Sequence, residues 1–464
     1  MRVSIVFDEE DYVTPARDGL DDLLKMLAEV MTQEKVSGNF FVIGERARCL
    51  RDRGRKDVLE AIARHTVGSH VNMGSIHPTL TERMEGADWA DGCARMAADE
   101  LAGIEEIAAI IGKPIACLAR HGGSFSPQLL AVLGRRKLPF VYSPARLPGH
   151  HITWYCNTLN FYGAFSVFQE AYLSRAAFLK AEKAFFDSME RHKAYEWCAV
   201  FNSHPCMIKT KWFWDKNYYA GRNPPLEACQ APDLRANFTM EEARSNWAFH
   251  CARLRDNADI RLGTIAEFAS EFGAQKESVS PEEIKALAER AAEAELPFWT
   301  DHFSAAEILD FLARSYLRRS QGRPLESLPR RPVLGPAQMP LSMPSARKVQ
   351  PEALQRAARG IHTAIAVTGM LPSRITCGEG PLGSAGEIGP GSTLVALGQA
   401  LSQDNLLRAV ETRPIAPYPK EGDEIAENAR GCTSWECHRQ DLDVSGITRL
   451  AALQSWTLKP ALPT

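Results

Sequence analysis

At 464 residues the chain is long enough for two domains rather than one. Its hydrophobic share of 45% and charged share of 24% are ordinary for a globular protein, and a formal charge of −3 gives no reason to expect nucleic acid or an anionic membrane as partner. No apolar run approaches the roughly 18 residues of a membrane span, no basic-then-apolar leader opens the sequence, and the eleven cysteines show no pairing pattern, so a cytoplasmic protein with reduced thiols is the expectation.

The chain opens on a strand-like run, Val3–Phe7, followed at once by Asp8-Glu9-Glu10-Asp11. Neighbouring carboxylates repel one another. An α/β protein keeps its ligand site at the carboxyl ends of its strands, where a divalent cation would relieve that repulsion. An amphipathic helix follows, with Leu20, Leu23, Leu24, Leu27, Val30 and Met31 on one face. Gly38–Gly44 reads as a strand and Asp57–His65 as a helix. Thr66–Leu80 has no hydrophobic period and is punctuated by glycine, so it reads as a loop carrying His70 and His77. Along a helix that spacing would hold the two imidazoles too far apart for one zinc-like ion, whereas a curled loop could bring them together.

Ala94–Ile111 reads as a longer amphipathic helix, Pro114–Leu118 as a strand, Ser126–Leu133 as a helix and Pro139–Tyr142 as a strand, with Arg120-His-Gly-Gly-Ser-Phe125 between. Trp197–Phe201 is one more strand, running into His204-Pro205. Alternating strand and helix argues for a parallel sheet or barrel. The acidic run, His70, Arg120 and His204 then all fall just after strands or in loops of one barrel face. Trp212, Phe213, Trp214, Tyr218 and Tyr219 lie beside His204 and suit either sugar stacking or packing.

Arg261–Phe272 closes the module with a strand and a helix. Ser280-Pro281 and Ser304-x-x-Glu307 are helix starts. Leu328–Pro344 carries Pro329, Pro332, Pro336, Pro340 and Pro344 without periodicity and reads as a linker. Beyond it lie an alanine-rich helix, Pro351–Val367, and a last amphipathic helix within Ile447–Pro460. The division expected is a barrel over 1–275, a helical extension over 276–327, a proline-rich linker over 328–348 and a smaller α+β accessory domain over 349–464. Gly378–Gly383 satisfies G-x-G-x-x-G, but Pro381 favours a flexible loop over a dinucleotide site, and Cys432 and Cys437-His438 read as free thiols beside a histidine.

Phe7–Tyr12, Gly38–Glu45, Gly68-Ser-His70 with His77-Pro78, Ala119–Ser124 and Phe201–Pro205 stand in the order and at the spacing of five known motifs. In these motifs the chain, over Met1–Phe272, resembles the NodB-type polysaccharide deacetylases of carbohydrate esterase family 4. The resemblance implies a distorted (β/α) barrel of NodB type with one divalent metal ion, zinc or similar. By position it implies Asp8 as general base, Glu10 as metal ligand with Asp11 as a rival, His70 as the first histidine ligand, Arg120 orienting Asp8, and His204 as the general acid. The family motif has its second histidine four residues after the first, where this chain has Gly74, and His77 is the histidine expected to replace it as ligand. A second departure is His121-Gly122, where the family usually has prolines. The activity implied is metal-dependent hydrolysis of a non-peptide C–N bond, deacetylating an N-acetylated sugar or polysaccharide. The partner is then a carbohydrate or other small amide, with no nucleic acid and no membrane, and with room for a homo-oligomer. The alternatives are a cyclic-amide C–N hydrolase on the same fold and a catalytically silent glycan-binding relative.

Overall fold

The structure is a computed structural model, and it describes residues 1–163, 165–201, 204–343, 345–379, 385–403 and 406–464. The first strand (β1, Arg2–Glu9) is buried along all but its first residue. A strand covered on both faces needs apolar side chains at odd and even positions alike. Val3, Ile5 and Phe7 accordingly pack under the helices, while Val6 enters a separate core with Phe41, Cys117, Ala119 and Trp197.

The other strands of this sheet are β2 (Asn39–Val42), β3 (Thr66–Ser69), β4 (Leu118–Ala119), β5 (Phe140–Val141), β6 (Ile152–Tyr155), β7 (Thr158–Phe161), β8 (Phe165–Val167), β9 (Trp197–Phe201) and β10 (Arg261–Leu262). β1 to β5 lie side by side in chain order, β7 follows β5, and β9 then β8 continue on the other side of β1. These pairings are parallel, as is that of β10 with β1; β6 is antiparallel to β7. The molecule is thus the parallel-rich α/β sheet with covering helices that the alternating sequence predicts. All of β1 to β5 point their carboxyl ends the same way, and that end carries the site.

Four expectations change. Thr66–Ser69 is a strand and not part of a loop. Its Gly68 marks a close approach: a Cβ there would lie 2.7 Å from the Phe41 ring and 2.8 Å from Cys117 Sγ, inside the sheet. The proline-rich stretch is not a free linker, since Leu328, Val333 and Met343 are buried in a second core. Proline fixes an extended backbone, which serves a packed strap as well as a tether, and composition alone does not distinguish the two. That core belongs to helices Pro281–Glu293, Ala305–Ser320, Pro351–Thr368 and Pro390–Ser402, with three short antiparallel ladders, Ser278–Val279 with Leu328–Pro329, Arg347–Val349 with Val410–Thr412 and Ile375–Glu379 with Ala385–Ile388. Both predicted helix starts are full capping boxes, Ser280 with Glu283 and Ser304 with Glu307. Thirdly, the boundary expected at 349–464 does not hold to the end of the chain. Ile425, Ala429, Ile447, Leu450 and Leu453 are buried in the core that packs under the sheet's helices, and Lys459–Pro460 pairs antiparallel with β6. The G-x-G-x-x-G stretch lies in part outside the described residues.

The long helix expected over Ala94–Ile111 is two, Trp89–Met96 and Ala102–Ile111, joined by a π turn, Ala97–Leu101. Within the wider turn Glu100 is buried, where it accepts the Asn72 backbone N–H at 2.9 Å. It thereby anchors the loop that follows His70. Burial pushes the Glu100 carboxyl up to about 7. A folded pKa above the unfolded value means the stability is present below the unfolded pKa and is lost as pH rises through about 7. Glu100→Gln should therefore stabilise the fold at pH 8.5, by up to about 3 kcal/mol, and much less at pH 5. Thermal melts at the two pH values check this, and equal shifts at both would show that Glu100 does not titrate on folding.

Candidate active site

Strand geometry decides which acids of the Asp8–Asp11 run face inward. Alternation along β1 sends Asp8 and Glu10 to one side and Glu9 to the other. Glu9 bonds the buried Arg46, which also pairs with Asp21 at 2.8 Å. Asp11, the rival ligand, turns away. Its Oδ1 accepts the backbone N–H groups of Val13 and Thr14, both at 2.9 Å, and its Oδ2 accepts the Thr14 hydroxyl at 2.7 Å. That carboxylate is spent on a turn.

Glu10 Oε1 stands among three imidazoles. His70 Nε2, directly after β3, is 3.0 Å away; His121 Nδ1, after β4, is 3.4 Å away; His204 Nε2, after β9, is 3.2 Å away. His70 Nδ1 bonds the Ala119 carbonyl at 3.1 Å, which assigns the proton to that nitrogen. The Nε2 lone pair then faces Glu10 and, at 3.6 Å, Asp8 Oδ2. A lone pair aimed at two carboxylates is unfavourable unless a proton or a cation lies between them. His121 Nε2 shares a hydrogen bond with Ser75 Oγ at 3.2 Å, which turns Nδ1 toward Glu10.

The charges are strongly coupled. Burial opposes ionisation of Glu10, yet His204 and His121 hold its carboxyl well below the usual range. Burial raises Asp8, and His70 and His204 offset that only in part. Burial lowers His121 and favours its neutral form. Burial alone would lower His204 too, but Glu10, Asp8 and Asp215 leave it above its ordinary value. The Tyr142 hydroxyl donates to Asp8 Oδ1 at 3.1 Å. Two residues here sit in the left-handed region, Val71 at φ 62° and Tyr142 at φ 67°. For a β-branched or bulky residue this costs on the order of 1–3 kcal/mol, and such strain gathers at functional sites.

Of the residues expected at the site, Asp8, Glu10, His70 and His204 meet. His77 does not join them. Its Nδ1 bonds Glu82 Oε2 at 2.7 Å and its Nε2 the Tyr218 carbonyl at 3.2 Å, so both ring nitrogens are committed to holding loops together. His121, and not His77, lies beside Glu10. Arg120 donates to the Tyr142 carbonyl and the Gly122 carbonyl, each at 3.0 Å, and so reaches Asp8 only through Tyr142. Of the aromatic group, Trp214 and Tyr218 are buried packing, while the Phe213 ring meets His204 edge-on at 4.5 Å between centroids. Sequence reasoning missed His121 and Tyr142. The signal for both was there: His121 lies two residues after β4 and Tyr142 directly after β5, on the face already suspected.

These residues also suit a cation. The donor atoms of Glu10, His70 and His121 lie within 4.8 Å of one another, as do those of Asp8, Glu10 and His204. Glu10 Oε2 is buried and makes no hydrogen bond with any described residue. A carboxylate with two imidazoles is a donor set that zinc-like ions take.

Fold and site together define a parallel-rich α/β protein with a buried carboxylate–histidine cluster at the carboxyl end of its sheet. The solved structures it resembles are consistently of carbohydrate esterase family 4, at low identity and over part of the chain. One is a family 4 pseudoenzyme from Bacillus anthracis, at 10% identity and a TM-score of 0.30, covering 57% of this chain. This chain spans 64% of that protein, just under two thirds of its length. Another is a family 4 acetyl xylan esterase from Clostridium thermocellum in complex with a cobalt ion, at 11% identity and a TM-score of 0.32, covering 59% of this chain and 93% of that one. A third is the family 4 domain of a multidomain xylanase from the hindgut metagenome of Trinervitermes trinervoides, at 9% identity and a TM-score of 0.32, covering 59% and 92%. No family model matches the sequence, and no curated protein matches it. Among the described residues, no helix is long and apolar enough to cross a membrane.

Proposed function

We propose that this chain is a metal-dependent amide hydrolase of the NodB deacetylase class, removing the acetyl group from an N-acetylated sugar. The observation that supports it best is the convergence of Asp8, Glu10, His70, His121 and His204 from four strand ends into one buried cluster, with Glu10 Oε2 unsatisfied. In this reading Glu10, His70 and His121 hold the ion, and His121 replaces the histidine absent at position 74. A divalent ion held there supplies Lewis acidity, lowering the pKa of water and polarising an amide carbonyl.

The chain's own groups move the protons. Asp8, oriented by the Tyr142 hydroxyl and raised by burial, takes the proton from the attacking water. His204, held above its ordinary pKa beside Glu10, gives a proton to the departing nitrogen. The C–N bond breaks, the acyl carbon gains the hydroxyl, and the amine leaves neutral.

Metal removal tests the reading. Purified protein should carry about one divalent ion per chain, and the ion should be lost as pH falls because imidazole ligands must be neutral. Chelation should abolish acetate release from N-acetylglucosamine, and added ion should restore it. Acetate release that survives complete metal removal would reject the proposal.

A further inference from the structure

The cluster is roofed by residues far downstream. Helix Glu421–Thr433 ends over the Arg120–Ser124 loop, and the turn that follows crosses the carboxyl end of the sheet. Trp435 meets the His121 ring edge-on at 4.9 Å between centroids, and Cys437 Sγ lies 3.4 Å from Asp215 Oδ2. The approach is closer than side chains would permit. A Cβ on Gly122 would lie 2.5 Å from the Trp435 ring, and one on Gly123 would lie 2.3 Å from the Cys432 carbonyl oxygen. Gly122, which stands where the family usually has a proline, and Gly123 beside it thus make room for this segment.

The segment is fastened on every side. The Arg439 backbone N–H donates to Glu82 Oε1 at 2.8 Å, and the Asp443 N–H to Glu85 Oε1 at 2.7 Å. The Ala220 and Gly221 N–H groups donate to the Glu436 and Cys437 carbonyls at 2.8 and 3.1 Å. Cys437 itself is fully buried, and the flanking helices bury Ala429 and Ile447 in the main core. Lifting the segment would expose that core, which a mobile lid does not require. Its effect on access is direct. The side chains of Asp8, Glu10, His70 and His121 are 6, 2, 1 and 1% exposed, and that of His204 is 21% exposed. Of the five, His204 is the most exposed, with the Phe213 ring edge-on beside it.

We propose that the segment Cys432–Arg439 is a fixed wall of the active site, which admits a monosaccharide-sized acylated amine past His204 and excludes a polysaccharide strand laid across the sheet. This rests on the deacetylase reading and narrows its substrate class.

Two measurements on the full-length protein test it. In hydrogen exchange, the hydrogen-bonded amides that fasten the segment, those of His438, Arg439, Ala220 and Gly221, should be protected like those of β1; exchange about 100-fold or more faster would make the segment a lid and overturn the proposal. In acetate-release assays, the wild type should act on N-acetylglucosamine and not on its hexamer. Trp435→Ala should raise the hexamer-to-monomer ratio of kcat/KM by about tenfold or more, whereas Trp435→Phe should keep the wild-type ratio. A wild type that turns over the hexamer as well as the monomer overturns the wall. Slow exchange with no acetate from either sugar leaves the wall supported and rejects deacetylation instead.

Discussion

His121→Ala protein is expected to purify without its divalent ion and without turnover, while His77→Ala keeps both. His121 is 1% exposed, 3.4 Å from Glu10, and held neutral by burial, which is the state a ligand needs. His77 is tied to Glu82 and the Tyr218 carbonyl, so its loss should cost about 1 kcal/mol of stability and no metal. Restoring the family spacing with Gly74→His should not help. Gly74 has φ +58°, and a Cβ there would lie 2.9 Å from Ile43 Cδ1, so the variant is strained before its imidazole points anywhere. Elemental analysis of the three proteins beside the wild type decides the matter. Metal lost from His77→Ala and retained in His121→Ala would reverse the assignment.

Asp8→Asn is expected to keep its ion and lose turnover by about 10²–10⁴-fold, the usual cost of removing a general base. Tyr142→Phe offers the graded comparison. It removes the hydroxyl that donates to Asp8 Oδ1 at 3.1 Å while leaving the carboxylate in place. That hydrogen bond favours the charged form of Asp8, so its removal should shift the acidic limb of the pH–rate profile upward. Steady-state kinetics across pH on both variants gives the answer. Turnover in Asp8→Asn equal to wild type would show that another group takes the proton.

Much of the site was legible in the sequence because strand ends are legible. Val3–Phe7 is apolar at consecutive positions, as a doubly covered strand must be, and the acids that follow it therefore lie at a carboxyl end. The same reasoning placed His204, whereas His70 was read from a glycine-punctuated loop. It stopped at His77, because the histidine that meets Glu10 in its stead comes from the neighbouring strand end, two residues beyond Ala119, and not from the same loop. Arg120 was legible as a residue of the site but not its target: which of two adjacent side chains turns inward depends on the backbone after β4. Thr66–Ser69 was hidden for another reason. A four-residue strand with a glycine has no periodicity of its own and takes its conformation from β2 and β4 on either side.

By itself, then, the sequence determined the alternating strands and helices, the burial of β1, the two capped helices after Ser280 and Ser304, and the presence of acids and histidines at strand ends. These follow from local periodicity and local hydrogen bonding, which neighbouring residues settle among themselves. Tertiary structure alone decided that His121 and not His77 meets Glu10, that Tyr142 and not Arg120 touches Asp8, and that Trp435 and Cys437 close over the cluster. Each of those pairs joins residues far apart in the chain, and the closest approaches depend on absent side chains, at Gly122 and Gly123, which fit only because the returning segment fills the space they leave.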